Sequence, residues 1–289
     1  MNKPGEKVMQ GVFLVSALMS IIALLTIIYF IFANGLPIMF RYGFFDFIFG
    51  TEWRPSNNPP MYGLLPMITG SIFATLGAAI LGVPVGVLTA IFMAEFCPDW
   101  LYKVLKPAVT LMASIPSIVM GFFALRLLVP AVRENFGGNG YSMLSAILIL
   151  SIMILPTIIE LSESALKTVP RTYYSASIAM GASHERSVMN VLVPAAKSGV
   201  LSSVVLGIGR AIGETMAVVL VAGNQPIMPG GLLQGMRTLT INIVLEMGYA
   251  TGEHREALIA TAVVLFVFIF IINGSFLVPV SYTHLTLPT

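Results

Sequence analysis

The sequence predicts an all-α polytopic membrane protein with six transmembrane helices. Of its 289 residues, 57% are hydrophobic and 10% are charged, and the mean hydropathy is +0.91. Soluble domains carry about 25% charged residues, so this composition excludes a soluble enzyme and a disordered chain. A net charge of +2 excludes the basic surface of a nucleic-acid-binding protein. The single cysteine excludes an internal disulfide framework and a multi-cysteine metal site.

Windows without charged residues locate the spans. About 20 apolar residues cross a bilayer as a helix, and a helix satisfies its backbone hydrogen bonds internally in lipid. The predicted spans are residues 11–33, 64–92, 108–131, 142–160, 198–222 and 257–277. The apolar run of the first span is longer than a signal-peptide core, and no small-residue cleavage site follows it. We therefore predict that this helix remains as an anchor.

Basic residues predict the orientation, because cytoplasmic segments of membrane proteins are enriched in them. With the N-terminus in the cytoplasm, the inner segments contain Lys3, Lys7, Lys103, Lys106, Lys167, Arg171, Arg186 and Lys197. The outer segments then contain Arg41, Arg54, Arg133, Arg237 and Arg255. Eight basic residues against five favour a cytoplasmic N-terminus.

The long inner loop, residues 161–197, is predicted to form a pair of short helices. Pro170 suits the first turn of one helix, and Gly181 suits its C-terminal cap. Ser183 is a candidate N-cap for the next helix, which Pro194 would end. Such an amphipathic hairpin either docks a soluble partner or lies on lipid headgroups, and the local pattern leaves both interpretations open.

The same loop resembles the EAA motif of ABC importer permeases in the spacing of its conserved positions. The resemblance implies a coupling helix that contacts an ATP-hydrolysing subunit. The residues that correspond to the motif are Ser175, Ala176, Ser177, Gly181, Ala182 and Pro194, with Ser175 in place of the family glutamate. The chain contains no G-x-x-x-x-G-K-[ST] loop. We therefore expect this chain to have no catalytic residues and to bind no cofactor, and a partner subunit to use ATP and Mg.

The fifth predicted span narrows the resemblance to PstC-type phosphate permeases. Residues 207–218 (GIGRAIGETMAV) are similar to the GRALGETMAV segment of that family, and residues 113–119 and 237–243 also agree. The resemblance covers roughly residues 62–276. It implies the type I ABC importer permease fold, with a MetI-like transmembrane domain, in the bacterial cytoplasmic (inner) membrane.

The family resemblance also implies the assembly and the domain boundaries. The expected partners are a PstA-like permease subunit, two ATP-binding subunits and a periplasmic or extracellular phosphate-binding protein. Residues 1–62 would form an N-terminal transmembrane helix and a periplasmic loop, and residues 63–277 the permease domain, with its coupling hairpin at 170–195. The expected function is ATP-driven import of inorganic phosphate by alternating access.

The charged pair in the fifth span defines a candidate translocation site. Arg210 lies about 13 residues into the predicted span, roughly 18–20 Å deep, and Glu214 is predicted one turn further on the same helix face. Gly209 and Gly213 form a G-x-x-x-G pattern that lets another helix approach, and Thr215 follows. One hypothesis is that Arg210 attracts the passing anion while Glu214 pairs with it as a gate or accepts the proton of monohydrogen phosphate. The alternative is a structural ion pair between helices.

Alternative functions and weaker candidate sites also follow from the sequence. The alternatives are a permease of the same fold for molybdate or sulfate and, in another class, a passive anion channel or secondary transporter. Arg126 is expected to reach the membrane interface, and Glu160 and Glu163 to lie at a solvated helix end. The histidines lie far apart in sequence and predicted topology, which argues against a metal site.

Two further segments carry predictions. Residues 237–247 are interpreted either as an amphipathic helix under a periplasmic partner or as interfacial packing, and Trp53 and Trp100 as interfacial tryptophans. Residues 278–289 contain no lysine or arginine and are predicted to be non-helical. We set them apart as an atypical tail, consistent with a scar of cloning or sequence assembly.

Overall fold

The computed structural model describes the backbone of residues 4–284 and the side chains of residues 9–274. Within these ranges the regular structure is helical apart from one two-stranded antiparallel hairpin and one isolated bridge. The first elements are α1 (Pro4–Tyr42), α2 (Phe44–Phe49), β1 (Trp53–Arg54), β2 (Met61–Tyr62), α3 (Leu65–Ile91), α4 (Asp99–Ser114), α5 (Ser117–Phe123) and α6 (Val129–Phe136). They are followed by α7 (Met143–Thr168), α8 (Arg171–Ala179), α9 (His184–Ser187), α10 (Val193–Ala195), α11 (Lys197–Gly213), α12 (Met216–Val219), α13 (Leu239–Glu246) and α14 (Gly252–His284). Three π-helical turns complete longer helices, at Phe92–Phe96, Ala124–Leu128 and Val188–Leu192.

The predicted all-α membrane fold is confirmed. Four helices within the described residues are long and apolar enough to cross a membrane: Met9–Tyr42, Leu65–Phe96, Met143–Thr168 and Gly252–Gly274. Two sharply bent helix pairs meet the same criterion together, Asp99–Ser114 with Ser117–Phe136 and His184–Ala195 with Lys197–Gly213. If each bent pair is one span, the total is six, as the hydropathy predicts.

The third span differs from the prediction of one helix over residues 108–131. It consists of two helices that turn by 101° at Ile115 and Pro116. Ile115 has ψ 126° because the ring of the following proline disfavours the helical conformation in the residue before it. The Ile-Pro pair therefore breaks the span close to its middle.

The fifth span also differs from the prediction of one helix over residues 198–222. α11 ends at Gly213, and Glu214 is extended with ψ 126°. The short helix α12 follows after Thr215. At its other end, α11 is bent by 68° from the preceding helix, which ends at Ala195. The prediction that Glu214 continues the helix face of Arg210 is thus wrong.

Both ends of the chain are more helical than predicted. α1 extends well beyond residues 11–33 and reaches Tyr42. α14 continues through residues 278–284, so the prediction of a non-helical tail is wrong for that part of it. Residues 285–289 of the predicted tail lie outside the described residues.

The largest helix contact joins α3 to α7, the second and fourth spans. Three glycines of α3 face isoleucines of α7: Gly77 against Ile147, Gly82 against Ile154 and Gly86 against Ile158. A Cβ atom at any of these glycines would lie within 2.5–2.8 Å of an isoleucine carbon. The absence of side chains on this face of α3 therefore lets the two spans pack closely, as small residues do in membrane helix pairs.

A second core forms at one end of the molecule. This end lies opposite the 170–195 hairpin, and we call it the far end. It joins Ile38 and Met39 of α1, Phe47 of α2, and Trp53 and Tyr62 of the strands to residues of α13 and α14, namely Leu239, Ala257, Leu258, Ala260 and Val263. Phe32 and Phe266 add an edge-to-face ring contact between α1 and α14 at 5.9 Å. The part of the N-terminal region from Ile31 to Tyr62 thus packs directly on the C-terminal span.

Candidate translocation site and coupling hairpin

Arg210 lies on an exposed face of α11 that also carries Ser202, Leu206 and Gly213. Its Nη1 donates a hydrogen bond to Thr157 Oγ1, near the middle of α7, at 3.4 Å. Among the described residues, no carboxylate lies within 4.0 Å of the guanidinium. An arginine at the centre of a membrane helix costs about 2.5–3.5 kcal/mol when it faces lipid. This face therefore requires water or another protein surface opposite it.

Glu214 caps the next helix and does not pair with Arg210 in this structure. Its Oε1 accepts hydrogen bonds from the backbone N–H groups of Thr215 and Ala217, both at 3.1 Å. The Thr215 hydroxyl donates to Gly213 O at 3.2 Å, and the Thr240 hydroxyl donates to Glu214 O at 3.3 Å. A carboxylate at a helix N-terminus is stabilised by the unpaired N–H groups there. Glu214 thus holds the break in the fifth span together.

The glycines of the G-x-x-x-G pattern have different surroundings. A Cβ atom at Gly209 would lie 3.6 Å from Asn273 Oδ1 on α14, whereas nothing lies within 4 Å of such an atom at Gly213. Gly207 makes the close contact of this segment, because a Cβ there would lie 2.7 Å from Ile158 Cγ1 of α7. Gly213 consequently leaves open space beside Arg210.

The far halves of the two broken spans pack on each other. A Cβ atom at Gly121 of α5 would lie 2.6 Å from the Cα of Ala217 in α12, so the two backbones are in close contact there. Helices that break near the membrane centre frame substrate sites in many transporters, since their ends present backbone groups and charges away from lipid. The breaks at Pro116 and Glu214, with Arg210 beside one of them, form the candidate translocation site.

A polar cluster on α7 lies between Arg210 and the 170–195 hairpin. The sequence did not predict this cluster. Glu163 is buried, and its carboxylate accepts hydrogen bonds from Tyr102 OH at 2.6 Å, Lys106 Nζ at 3.0 Å and Lys167 Nζ at 2.6 Å. The prediction of a solvated helix end is therefore wrong for Glu163. The sequence signal was the i,i+4 spacing of Glu163 and Lys167. Nothing in it pointed to Tyr102 or Lys106.

Glu160 extends this cluster toward the centre of α7. Its Oε1 accepts a hydrogen bond from Thr110 Oγ1 of α4 at 2.8 Å, so the residue is partnered rather than simply solvated. A cavity of about 310 Å³ adjoins both glutamates and is lined by Tyr102, Lys106, Glu160, Glu163, Ser164, Lys167 and Thr168. Polar side chains thus follow α7 from Thr157, which contacts Arg210, through Glu160 and Glu163 to Lys167.

The predicted hairpin is present, and its turn follows from local sequence. Gly181 has φ +86°, a conformation that favours glycine. Its N–H donates to Ile178 O at 2.9 Å, and the N–H of Ala182 donates to Ser177 O at 3.2 Å, which is the Schellman pattern that ends a helix. Ser183 is the N-cap of α9, as predicted, and its hydroxyl accepts from the N–H of Arg186. Pro170 immediately precedes α8.

From Thr172 to Ser183 the hairpin presents an uncharged surface, whereas Arg171 before this stretch and Glu185 and Arg186 after it are exposed charges. Ser175, Ala176, Gly181 and Pro194 are exposed, and Met180 at the tip is 89% exposed. Less exposed residues stiffen the hairpin from within. Half-buried Ala182 follows the turn, and the hydroxyls of half-buried Ser177 and buried Ser187 share a hydrogen bond of 2.8 Å.

A second missed cluster surrounds Glu246 at the far end. Arg237 Nη1 donates to Glu246 Oε1 at 2.5 Å, while Trp53 Nε1 and His254 Nε2 donate to Oε2 at 2.9 and 2.8 Å. Trp53 is therefore a buried donor rather than an interfacial tryptophan. Burial, reinforced by the charge of Glu246, raises the pKa of the neighbouring Tyr249 hydroxyl. α13 lies within residues 237–247, and its first four residues are buried.

Comparison with known protein families identifies the fold and the family. Residues 82–285 match the model of the binding-protein-dependent transport system inner membrane component family. The probable ABC transporter permease protein YqgH of Bacillus subtilis is 41% identical over 207 residues, which cover 71% of this chain and 67% of that protein. The phosphate transport system permease protein PstC of Xylella fastidiosa (strain 9a5c) is 34% identical over 245 residues, 78% of this chain and 75% of that protein.

Solved structures agree at the level of the fold. The inward-facing MetNI methionine ABC transporter includes a chain that matches with a TM-score of 0.62 and 22% identity, over 76% of this chain and 95% of that one. A bacterial alginate ABC transporter includes a chain with a TM-score of 0.65 and 13% identity, over 95% and 96%. The shared fold, the family match over most of the chain and the permease relatives lead to one conclusion. The chain belongs to the binding-protein-dependent transport system inner membrane component family and is a non-catalytic permease subunit.

Proposed function

We propose that this chain is the PstC-like permease subunit of an ATP-driven importer that moves inorganic phosphate into the cytoplasm. The observation that carries the proposal is the exposed guanidinium of Arg210, which lies at the break of the fifth span within a segment that resembles phosphate permeases. Relatives named as phosphate permeases support the substrate. In the assembly we propose, a PstA-like permease covers the open face of α11, and a phosphate-binding protein delivers the anion on the outside.

The proposed orientation places the N-terminus and the 170–195 hairpin in the cytoplasm of a bacterial cell, with the chain in the inner membrane. Two separate ATP-binding subunits bind ATP and Mg, and one of them receives the exposed residues around Ser175 and Met180. An uncharged surface with an exposed methionine suits an apolar groove on that subunit. Closure of the ATP-binding subunits moves the hairpins and opens the spans outward, which is alternating access.

In this mechanism Arg210 attracts the phosphate, because a planar guanidinium donates two parallel hydrogen bonds to an oxyanion. Gly209 and Gly213 leave room beside it for the anion or for the partner permease. Glu214 and Thr215 keep the helix break open, since the carboxylate and hydroxyl bond to backbone groups there. In an altered state, Glu214 can release its backbone donors and accept the proton of monohydrogen phosphate, which sulfate lacks.

The test is ATP-dependent uptake of radiolabelled phosphate by proteoliposomes that contain this chain with its partner subunits. Sulfate and molybdate serve as competitors, and Arg210→Ala is compared with Arg126→Ala. Arg126 is a matched control, because it is also exposed on a spanning helix and its guanidinium lies 5.7 Å from the Phe122 ring centroid. We expect Arg210→Ala to abolish uptake and Arg126→Ala to retain it.

Other outcomes would overturn separate parts of the proposal. Uptake of molybdate or sulfate instead of phosphate would support an ATP-driven importer but would show that phosphate is not its substrate. Undiminished phosphate uptake by Arg210→Ala would show that Arg210 has a structural role and does not act on the anion. Transport that proceeds without any ATP-binding subunit would indicate a passive channel or a secondary transporter.

A further inference from the structure

The last turn of the second span is joined to the start of α8 by an ion pair. Glu95 lies in the π-helical turn Phe92–Phe96, and its side chain is 4% exposed. Its Oε2 accepts a hydrogen bond from Arg171 Nη1 at 2.7 Å. The other oxygen, Oε1, is buried and has no hydrogen-bond partner among the described residues. Arg171 therefore provides the charge compensation on which this buried carboxylate depends.

His184 joins the same turn to the start of α9. Its Nε2 lies 3.1 Å from Glu95 O, and since a carbonyl oxygen only accepts, Nε2 carries the proton. In the neutral ring Nδ1 is then an acceptor, and Tyr174 OH of α8 donates to it at 3.0 Å. The Phe96 ring packs edge-on against His184 with centroids 4.9 Å apart. One imidazole thus contacts both legs of the hairpin and the second span.

An apolar layer supports these polar contacts. Val188 and Leu192 of the hairpin are buried in one cluster with Ile91 of α3, Leu166 of α7 and Ala196. α3 is in turn packed against α7 along its glycine face. The hairpin is therefore attached to the second span by charge, by hydrogen bonds and by apolar packing.

We propose that Glu95, with Arg171 and His184, is a positioning residue that makes the hairpin and the second span one rigid body. A rigid element carries a displacement from one site to another, whereas a loosely held hairpin would move without the span. The ion pair then converts the movement of the hairpin into movement of α3. This inference rests on the proposed function, in which an ATP-binding subunit moves the hairpin.

Distance measurements between spin labels test the rigid body without reference to any substrate. The labels replace Met189, an exposed hairpin residue outside the proposed contact with the ATP-binding subunit, and Leu88, an exposed residue of α3, after Cys97→Ser removes the single native cysteine. In the assembled complex we expect one narrow distance distribution that is the same with and without ATP. Glu95→Gln, which removes the charge but keeps the side-chain shape, is expected to broaden it.

Arg171→Gln leaves the buried carboxylate unpaired and is expected to broaden the distribution further, whereas Arg171→Lys is expected to restore most of the rigidity. Glu134→Gln is the matched control, since Glu134 is an exposed glutamate of α6. A distance that changes with ATP in the wild type would refute the rigid body. A narrow distribution in both Glu95→Gln and Arg171→Gln would refute the role of the ion pair.

The functional arm compares phosphate transported with ATP hydrolysed. We expect Glu95→Gln to lower the number of phosphate ions moved per ATP by about fivefold, the lower end of typical coupling between sites. The ATPase rate is expected to stay near that of the wild type, because Glu95 contacts the hairpin from the second span and its replacement leaves the exposed hairpin surface around Ser175 and Met180 unchanged. Equal losses of transport and hydrolysis would show a merely structural role and overturn the proposal. If the wild type moves no phosphate, phosphate is not the substrate. The label distances would still test whether the hairpin and the second span move as one rigid body.

Discussion

Replacement of Glu246 by glutamine is expected to destabilise the far end strongly. The glutamine has nearly the same shape and its Oε1 can still accept from Trp53, but it removes the charge that compensates Arg237. The side chains of Glu246 and Arg237 are only 8% and 12% exposed, so the guanidinium has little access to water once its partner is neutral. The far-end segments joined by this carboxylate come from β1, α13 and the start of α14.

The magnitude follows from burial. Loss of one partner from a buried ion pair costs about 3–5 kcal/mol, since the other charge stays unpaired. With an unfolding entropy of about 2.1 cal/mol/K per residue, a chain of 289 residues has about 0.6 kcal/mol/K, so a Tm decrease of about 5–8 °C is expected here. The buried Glu163 provides a contrast, because its lysine partners are 37% and 40% exposed and can hydrate.

Thermal unfolding of the purified chain in detergent measures the effect, at one fixed scan rate because such unfolding is often irreversible. In a Trp100→Phe background, Trp53 is the single tryptophan, so the fluorescence then reports on this cluster. Glu134→Gln, an exposed substitution, is the control and is expected to change stability by less than about 0.5 kcal/mol. The double variant Glu246→Leu with Arg237→Met is expected to recover much of the loss. A Tm for Glu246→Gln equal to that of the control would refute the reasoning.

Three further predictions concern other parts of the molecule. Glu163→Gln is expected to lower the free energy of unfolding by about 1.5–3 kcal/mol, which is less than the loss for Glu246→Gln. The same thermal-unfolding assay compares the two variants. A larger loss of stability for Glu163→Gln would contradict the argument that its lysine partners can hydrate. Gly82→Val places its Cβ 2.7 Å from Ile154 Cδ1 and is expected to cost about 1–3 kcal/mol in the same assay, with Gly11→Val as the control in open space. Gly181→Val forces a β-branched residue to φ +86°. We expect this variant to lower the ATPase activity of the assembled complex at least twofold. An unchanged ATPase rate would show that coupling does not need this turn geometry.

Local sequence predicted the elements whose determinants lie within a few residues. The apolar windows located the spans, because a bilayer requires about 20 apolar residues in a row. The hairpin turn followed from Gly181 and Ser183, since caps are satisfied by backbone groups two or three positions away. The break at Pro116 also had a local signal, as the residue before a proline avoids the helical conformation. We predicted a continuous span there because hydropathy alone does not distinguish a straight helix from a broken one.

The polar clusters depended on contacts that no local pattern contains. Trp53 and Glu246 are 193 positions apart, Glu163 and Tyr102 are 61 apart, and Glu95 and His184 are 89 apart. Trp53 was predicted to lie at the membrane interface and Glu163 at a solvated helix end, and none of these contacts was predicted. Charged groups inside a membrane protein are stable only with partners, and the partners come from whichever helices the packing brings together.

The sequence by itself determined that this protein is an all-α membrane permease with a helical hairpin, because hydropathy, helix caps and motif spacing are properties of neighbouring residues. Only the tertiary structure decided that Glu214 caps α12 rather than pairing with Arg210, and that Glu95 fastens the hairpin to the second span. The physical reason is that the partner of a charge in a folded chain is set by the packing of helices. That packing is fixed by contacts such as Gly82 with Ile154, between residues far apart in the sequence.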